Sequence, residues 1–187
     1  DVSGKGISAA LIMGMIHAIT NSAARFMPVP DPAAILSRAN EYLYDDFTTL
    51  DTFATAFVCS YNPAEARMDY ANAGHAPVIF RPAGGASELL EGDGVPVGVL
   101  PMSLSQTQSV AFGPGDILVV ATDGFSEAAN LTGEMLGYER LLELVDTLAA
   151  ESAEQIGLKL FEAVQAFGAG HEQDDDQTVI VIKGVRR

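Results

Sequence analysis

Apolar and polar positions along this chain fall into three blocks. The first reads as two helical segments, 7–26 and 32–47, with Asp31 placed as an N-cap and Pro32 as the first helical residue of the second. The middle block is a succession of short apolar and alternating runs, which predicts strands over 53–61, 67–72, 77–81, 87–91, 105–112 and 117–122. Turn residues punctuate them at Asn62-Pro63, Gly84-Gly85, Gly92-Asp93-Gly94 and Gly113-Pro114-Gly115-Asp116. The last block predicts helices over 138–148 and 153–167, the second opened by a Ser152/Gln155 capping box, and a closing strand over 178–183. Helices, then mostly antiparallel strands, then helices and one returning strand indicate an α+β layered sandwich and disfavour alternating βαβ units.

Composition changes this picture in two ways. At 187 residues and 48% hydrophobic, with no repeat, low-complexity tract or linker, residues 1–187 read as a single domain with a substantial core. Ten basic residues against twenty-five acidic ones, a net charge of -15, leave no positive footprint for a nucleic acid or an anionic membrane surface. Cys59 is the only cysteine, so no internal disulfide forms; between apolar neighbours it reads as a small buried hydrophobe in a reducing cytoplasm. The apolar stretch 7–19 is interrupted by Ser8, Gly14 and His17 and is shorter than the roughly 20 residues of a membrane span, so it is expected to be a core helix, with His17 inside. No basic segment precedes it, which argues against a signal peptide. Asp1-Val2 reads as the end of a strand whose start is absent, the mark of a fragment of a longer protein.

Chemistry concentrates at three places. The opening stretch DVSGKG places Gly, Lys and Ser ahead of a helix, but a phosphate-binding loop needs G-x-x-x-x-G-K-[ST], and here Gly6 follows Lys5. A strand-terminal carboxylate followed by Gly-x-Gly suits instead a hard cation such as Mg²⁺ or Mn²⁺, which takes oxygen ligands. The second place is the apolar run 117–121, which ends abruptly in Thr122-Asp123-Gly124; Asp123 either starts a turn or faces a ligand where the core opens. The third is Asp174-Asp175-Asp176, three adjacent like charges that suit either a solvated loop or a bound cation. Glu139, Glu143 and Glu162 lie in helical segments and are expected on solvated faces.

The succession DVSGKG-x-x-AAL-x-M, FATAF, Y-x-NAGHAP, G-x-PVGV, GPGDILVVATDGFSEA and DDQTVIVI closely resembles the SpoIIE/RsbU branch of the metal-dependent protein phosphatases (the PPM, or type-2C, serine/threonine phosphatases), from Asp1 to about Ile182. The resemblance implies a layered α-β-β-α sandwich whose N-terminal strands are missing from this fragment. It implies hydrolysis of phosphoserine or phosphothreonine by a water that two Mn²⁺ or Mg²⁺ ions activate for in-line attack, with no covalent phosphoenzyme. Carried over one at a time, Asp1 would bridge the two ions and the Val2 carbonyl would be a further ligand. Asp123 and Asp175 would complete one ion's shell, with Asp176, Gly4, Gly6 and Gly124 in support.

The family places a further acid upstream, in a GGD-like motif, so this fragment would hold one complete metal position and one lacking a ligand. Lys5 stands near where eukaryotic relatives have a His; it reads as a solvated loop cation. His75, in NAGH, reads as structural. The resemblance also implies a phosphoprotein substrate of the STAS-domain type, in a partner-switching pathway of sigma-factor regulation. An upstream sensor or receiver domain would act through the first helix, and a homodimer is left open. The competing reading is a pseudophosphatase that binds its partner without hydrolysing it.

Overall fold

A computed structural model describes residues 1–92 and 94–186; Asp93, in the middle of the Gly92-Asp93-Gly94 turn, and Arg187 lie outside the described residues. In chain order the elements are α1 (Gly6–Phe26), α2 (Pro32–Leu50), β1 (Ala56–Asn62), β2 (Arg67–Ala73), β3 (Val78–Arg81), β4 (Glu88–Leu90), β5 (Gln108–Ala111), β6 (Ile117–Ala121), α3 (Gly137–Thr147), α4 (Ala153–Phe167) and β7 (Val179–Lys183). Every expected element is present, in the expected order. The chain divides into two compact units, Asp1–His75 with Glu91–Ala111 and Ala76–Leu90 with Phe112–Arg187. Each unit holds one antiparallel sheet and one helix pair, so the α+β expectation holds within both.

In the first unit the sheet order is β1-β2-β5. Asn62 shapes the β1–β2 turn, its Oδ1 accepting from the Ala64 and Glu65 amides at 3.0 and 3.3 Å, and this sets the register from Ala56↔Ala73 to Asn62↔Arg67. Helix α2 buries a stripe at Leu36, Asn40, Leu43 and Phe47, spaced three to four residues apart, into a core with Ala54, Ala71, Ala73 and Val97. Each fully buried Leu or Phe there contributes about 1.5–3 kcal/mol. Asn40, 2% exposed, is the polar member of the stripe and is fully engaged. Its Nδ2 donates to the Leu100 carbonyl and its Oδ1 accepts from the Gly98 amide, both at 2.9 Å.

Four expectations in this unit change. Asp31 occupies the N-cap of α2 with Pro32 after it, as expected, but its side chain makes no capping bond. The first turn is satisfied by Thr107, whose Oγ1 accepts from the Ala33 amide at 3.0 Å while donating to the Asp31 carboxylate. Helix α1 is not a core helix: only Ala23 is buried. Ile12, Met15, Ile16 and Ile19 pack against the core, while Ile7 and Leu11 on the other face are 83% and 72% exposed. At 21 residues it is long and apolar enough, by length and composition alone, to cross a bilayer, so the shortness argument does not hold. His17 lies on the exposed face, its Nε2 3.0 Å from Asn21 Nδ2.

In the second unit the sheet order is β4-β3-β6-β7, with every pairing antiparallel. Ile117, Leu118 and Val119 of β6, the strand between β3 and β7, are buried. Helices α3 and α4 bring Leu141, Val145, Ile156, Leu160 and Val164 onto Ile79, Ile117, Val119 and Phe125, and Phe161 meets the Phe125 ring edge-on at 4.9 Å. The cap of α4 forms as expected, Ser152 Oγ accepting from the Gln155 amide at 3.2 Å. Asp146 ties α3 to the β3–β4 hairpin by accepting from Arg81 Nε at 3.1 Å and from the Ser87 amide and hydroxyl at 2.9 and 2.8 Å. Glu139, Glu143 and Glu162 are exposed, as expected.

Candidate metal centre

The opening motif is anchored by backbone pairing. Val2 bridges Ala54, the Thr55 amide donates to the Asp1 carbonyl at 2.8 Å, and the Ser3 amide donates to the Phe53 carbonyl at 3.0 Å. Hydrogen bonds that alternate in this way leave the amide and carbonyl of Val2 facing away from Ala54. The Val2 carbonyl is thereby presented on the opposite side from the extended segment 53–55 that holds its neighbours. Ser3 Oγ adds a second tie, 2.9 Å from Thr52 Oγ1 and accepting from the Phe53 amide at 3.1 Å. Past Ser3, Gly4 and Gly6 take φ of +93° and +78°, a region that L side chains rarely adopt, so the turn into α1 demands glycine at both positions. Lys5 between them is extended and exposed.

The same unit accounts for NAGH. The His75 amide donates to Asn72 Oδ1 at 2.7 Å and Asn72 Nδ2 returns a bond to the His75 carbonyl at 3.0 Å, closing the turn around a buried Asn. His75 Nδ1 lies 3.0 Å from Thr55 Oγ1. These contacts give the motif the structural role expected of it. Cys59 is partly buried, and burial pushes its thiol pKa up, which makes it a poor nucleophile.

In the second unit the turn after β6 and the acidic loop before β7 are laced together. The Thr122 amide donates to the Thr178 carbonyl at 3.1 Å. Thr122 Oγ1 donates to the Asp176 carbonyl and accepts from the Thr178 amide, both at 3.0 Å, and Gln177 Nε2 donates to the Gly124 carbonyl at 3.0 Å. Gly124 is required for a different reason from Gly4 and Gly6: a Cβ there would sit 2.5 Å from the Asp176 carbonyl oxygen. Asp123 and the 175–176 segment are therefore held as neighbours through Thr122 and Gly124. The Asp174, Asp175 and Asp176 side chains are exposed, and Asp175 Oδ1 accepts from the Asp176 amide at 2.8 Å. Thr122 and Gln177 were not singled out from the sequence; a hydroxyl at the last position of an apolar strand was the available signal.

Asp123 carries the anomaly of this unit. Its Oδ1 is buried and has no hydrogen-bond partner, whereas Ser126 Oγ donates to the Asp123 carbonyl at 3.2 Å. A buried carboxylate oxygen without a donor is costly, and a cation in contact with it would remove the cost. Nearby, the half-buried Tyr138 has its phenol pKa raised, first by burial and further by the charges of Asp123 and Glu127, while a hydrogen bond with Ser126 opposes the shift. Within each unit, among the described residues, no three His, Cys, Asp or Glu side chains are gathered as a metal cage. Asp1 and Val2 belong to the first unit, and Asp123, Gly124, Asp175 and Asp176 to the second.

Known proteins extend these observations. The protein IcfG of Synechocystis sp. is 29% identical over 143 residues, covering 76% of this chain and 22% of that protein. The phosphoserine phosphatase RsbP of Bacillus subtilis is 25% identical over 185 residues, covering 97% of this chain and 44% of that protein. The chain thus spans less than half the length of these relatives. The fold matches the SiaA-PP2C domain of Pseudomonas aeruginosa with a TM-score of 0.86 at 21% identity, over 98% of this chain and 73% of that one. It also matches the catalytic domain of the serine/threonine phosphatase PstP, a structure in complex with two manganese ions, with a TM-score of 0.71 at 14% identity, over 100% of this chain and 86% of that one. The fold is therefore that of the PPM phosphatases. The Stage II sporulation protein E family model matches residues 1–184, and the chain belongs to the SpoIIE family.

Proposed function

We propose that this chain is the catalytic part of a metal-dependent serine/threonine protein phosphatase that removes phosphate from a regulatory protein, of the STAS-domain type, in sigma-factor signalling. The observation that carries the reading is the buried, unpartnered Asp123 Oδ1 at the end of β6, in a chain matched to the SpoIIE family over 1–184. Each unit offers oxygen donors of the kind that Mn²⁺ and Mg²⁺ take, Asp1 and the Val2 carbonyl in the first and Asp123 and Asp175 in the second. When bound, such ions polarise a phosphoryl oxygen and activate water for in-line attack.

The chain's own residues supply the rest. The extended segment 52–55 fixes Asp1 and turns the Val2 carbonyl away from Ala54. Thr122 holds the Asp176 backbone beside Asp123, and Gly124 lets the two segments approach. Ser126 spends its hydroxyl on the Asp123 carbonyl and Cys59 is held as a thiol, which supports direct hydrolysis without a covalent phosphoenzyme. Bound cations would also offset the repulsion between a chain of net charge -15 and a dianionic phosphoserine.

The test pairs activity with binding. The full-length protein and its Asp123→Asn variant are assayed for Mn²⁺-dependent release of phosphate from a phosphoserine protein, and Mn²⁺ affinity is measured by calorimetry. Turnover and tight Mn²⁺ binding, both lost in the variant, are the expected result. Absence of turnover in both, with the phosphoprotein still bound, would replace this reading with a pseudophosphatase scaffold.

A further inference from the structure

Beside the Asp123-Gly124 turn, wholly within the second unit, lies a cavity of about 530 Å³, within the size range of ligand sites. Its lining runs from Gly124 through 127–129 and Met135 to the α4 residue Val164 and the loop 168–175. Ala128, Met135 and Val164 give it an apolar floor, and Glu127, Glu172 and Asp174 line it with carboxylates. None of its described lining residues is Lys or Arg, and among the described residues Glu127 and Glu172 have no side-chain ion pair. The one basic group, His171, has Nδ1 donating to the Glu172 carbonyl at 2.7 Å and lies 3.6 Å from an Asp174 carboxylate oxygen.

An apolar floor under an acidic rim selects by charge. Anions are repelled, and a neutral apolar group would gain nothing from the carboxylates. A lysine or arginine side chain satisfies both parts, its methylene stem on the floor and its head among the carboxylates. The cavity shares Gly124 and Asp175 with the candidate metal centre, so a chain whose phosphoserine is at that centre passes next to it.

We propose that this cavity is a specificity subsite that takes a lysine or arginine side chain lying within a few residues of the phosphoserine of the protein substrate; the inference rests on the phosphatase reading above. A substrate segment would then be recognised as a dipole, its anion at the carboxylate-bound cations and its cation in the acidic cavity.

The experiment uses the full-length protein with Mn²⁺ and a set of phosphoserine peptides that differ only in carrying Lys, Ala or Glu at single positions on either side of the phosphoserine. A small aryl phosphate, which has no side chain to fill the cavity, serves as reference. At one or more positions kcat/KM is expected to rise about fivefold from Ala to Lys and to fall by a similar factor to Glu. The preference should shrink between about 0.05 and 0.5 M salt. Glu172→Gln should flatten the series and Glu172→Lys should reverse its order, with aryl phosphate turnover unchanged. Equal kcat/KM across the peptides, or a series indifferent to Glu172→Lys, overturns the subsite while leaving the phosphatase reading standing. Failure to hydrolyse even the aryl phosphate overturns both.

Discussion

Gly124→Ala is expected to destabilise the second unit, and the size of the effect follows from one distance. The added methyl would lie 2.5 Å from the Asp176 carbonyl oxygen and 3.2 Å from its carbon, so the loop must retreat by about 0.5 Å or more. The Thr122–Asp176 and Gln177–Gly124 bonds, both at 3.0 Å, span that junction, and each is worth about 1 kcal/mol. Overpacking and weakened bonding together give a loss of about 2–4 kcal/mol. Because φ at Gly124 is not in the left-handed region, the cost is contact rather than backbone strain. The control is Gly157→Ala, the same chemical change in the same unit. Gly157 sits inside α4, its added methyl would meet Val181 Cγ2 at an ordinary 3.8 Å, and helix propensity favours Ala there by about 0.5–1 kcal/mol. Urea unfolding of the two variants should therefore move in opposite directions. Mn²⁺ affinity should fall in Gly124→Ala and stay unchanged in Gly157→Ala. A Gly124→Ala protein within about 0.5 kcal/mol of the parent, the range of an ordinary surface change, would refute the close junction.

Two further perturbations test the first unit. Asn40→Leu keeps the branched shape of the side chain but strands the buried Gly98 amide, and should cost about 1–3 kcal/mol in urea unfolding; a neutral result would mean that the Asn40 bonds contribute nothing. Asp69 accepts from Arg67 Nε at 2.8 Å and Nη2 at 3.0 Å and from Ser109, which hold its carboxyl below the usual carboxylate range. A depressed folded pKa contributes stability above the unfolded value, near pH 4, and loses it as pH falls through the folded value. Asp69→Asn should accordingly cost up to about 1 kcal/mol at pH 7 and little at pH ~2, and a penalty independent of pH would count against the pair.

The fold was legible because the apolar patterns that specify it are local. The strand 117–121 is a continuous apolar run because residues on both its faces are buried, Ile117 and Val119 on one and Leu118 on the other, and its abrupt end marks Asp123. What lay hidden depends on contacts distant in sequence. The cap of α2 runs through Thr107, 76 residues from Asp31, where sequence reasoning could see only an aspartate in the right place. The need for glycine at 124 comes from a carbonyl at 176, and the part played by Thr122 from the same segment. The apolar residues of α1 pointed inward by composition, but one helix face suffices to cover this sheet's core, and Ile7 and Leu11 fall on the other. His17 shares that outer face.

The turn Gly4-Lys5-Gly6 joins a segment pinned by backbone bonds to a helix of 21 residues. Its two glycines have left-handed φ, and nothing lies within 4 Å of where their side chains would begin. Mechanically it is a swivel of two soft joints, the sole covalent path by which a displacement of α1 reaches Asp1. The torsional stiffness of that link is written in two residues, and an alanine at either would hold it against its preferred conformation at about 1–2 kcal/mol.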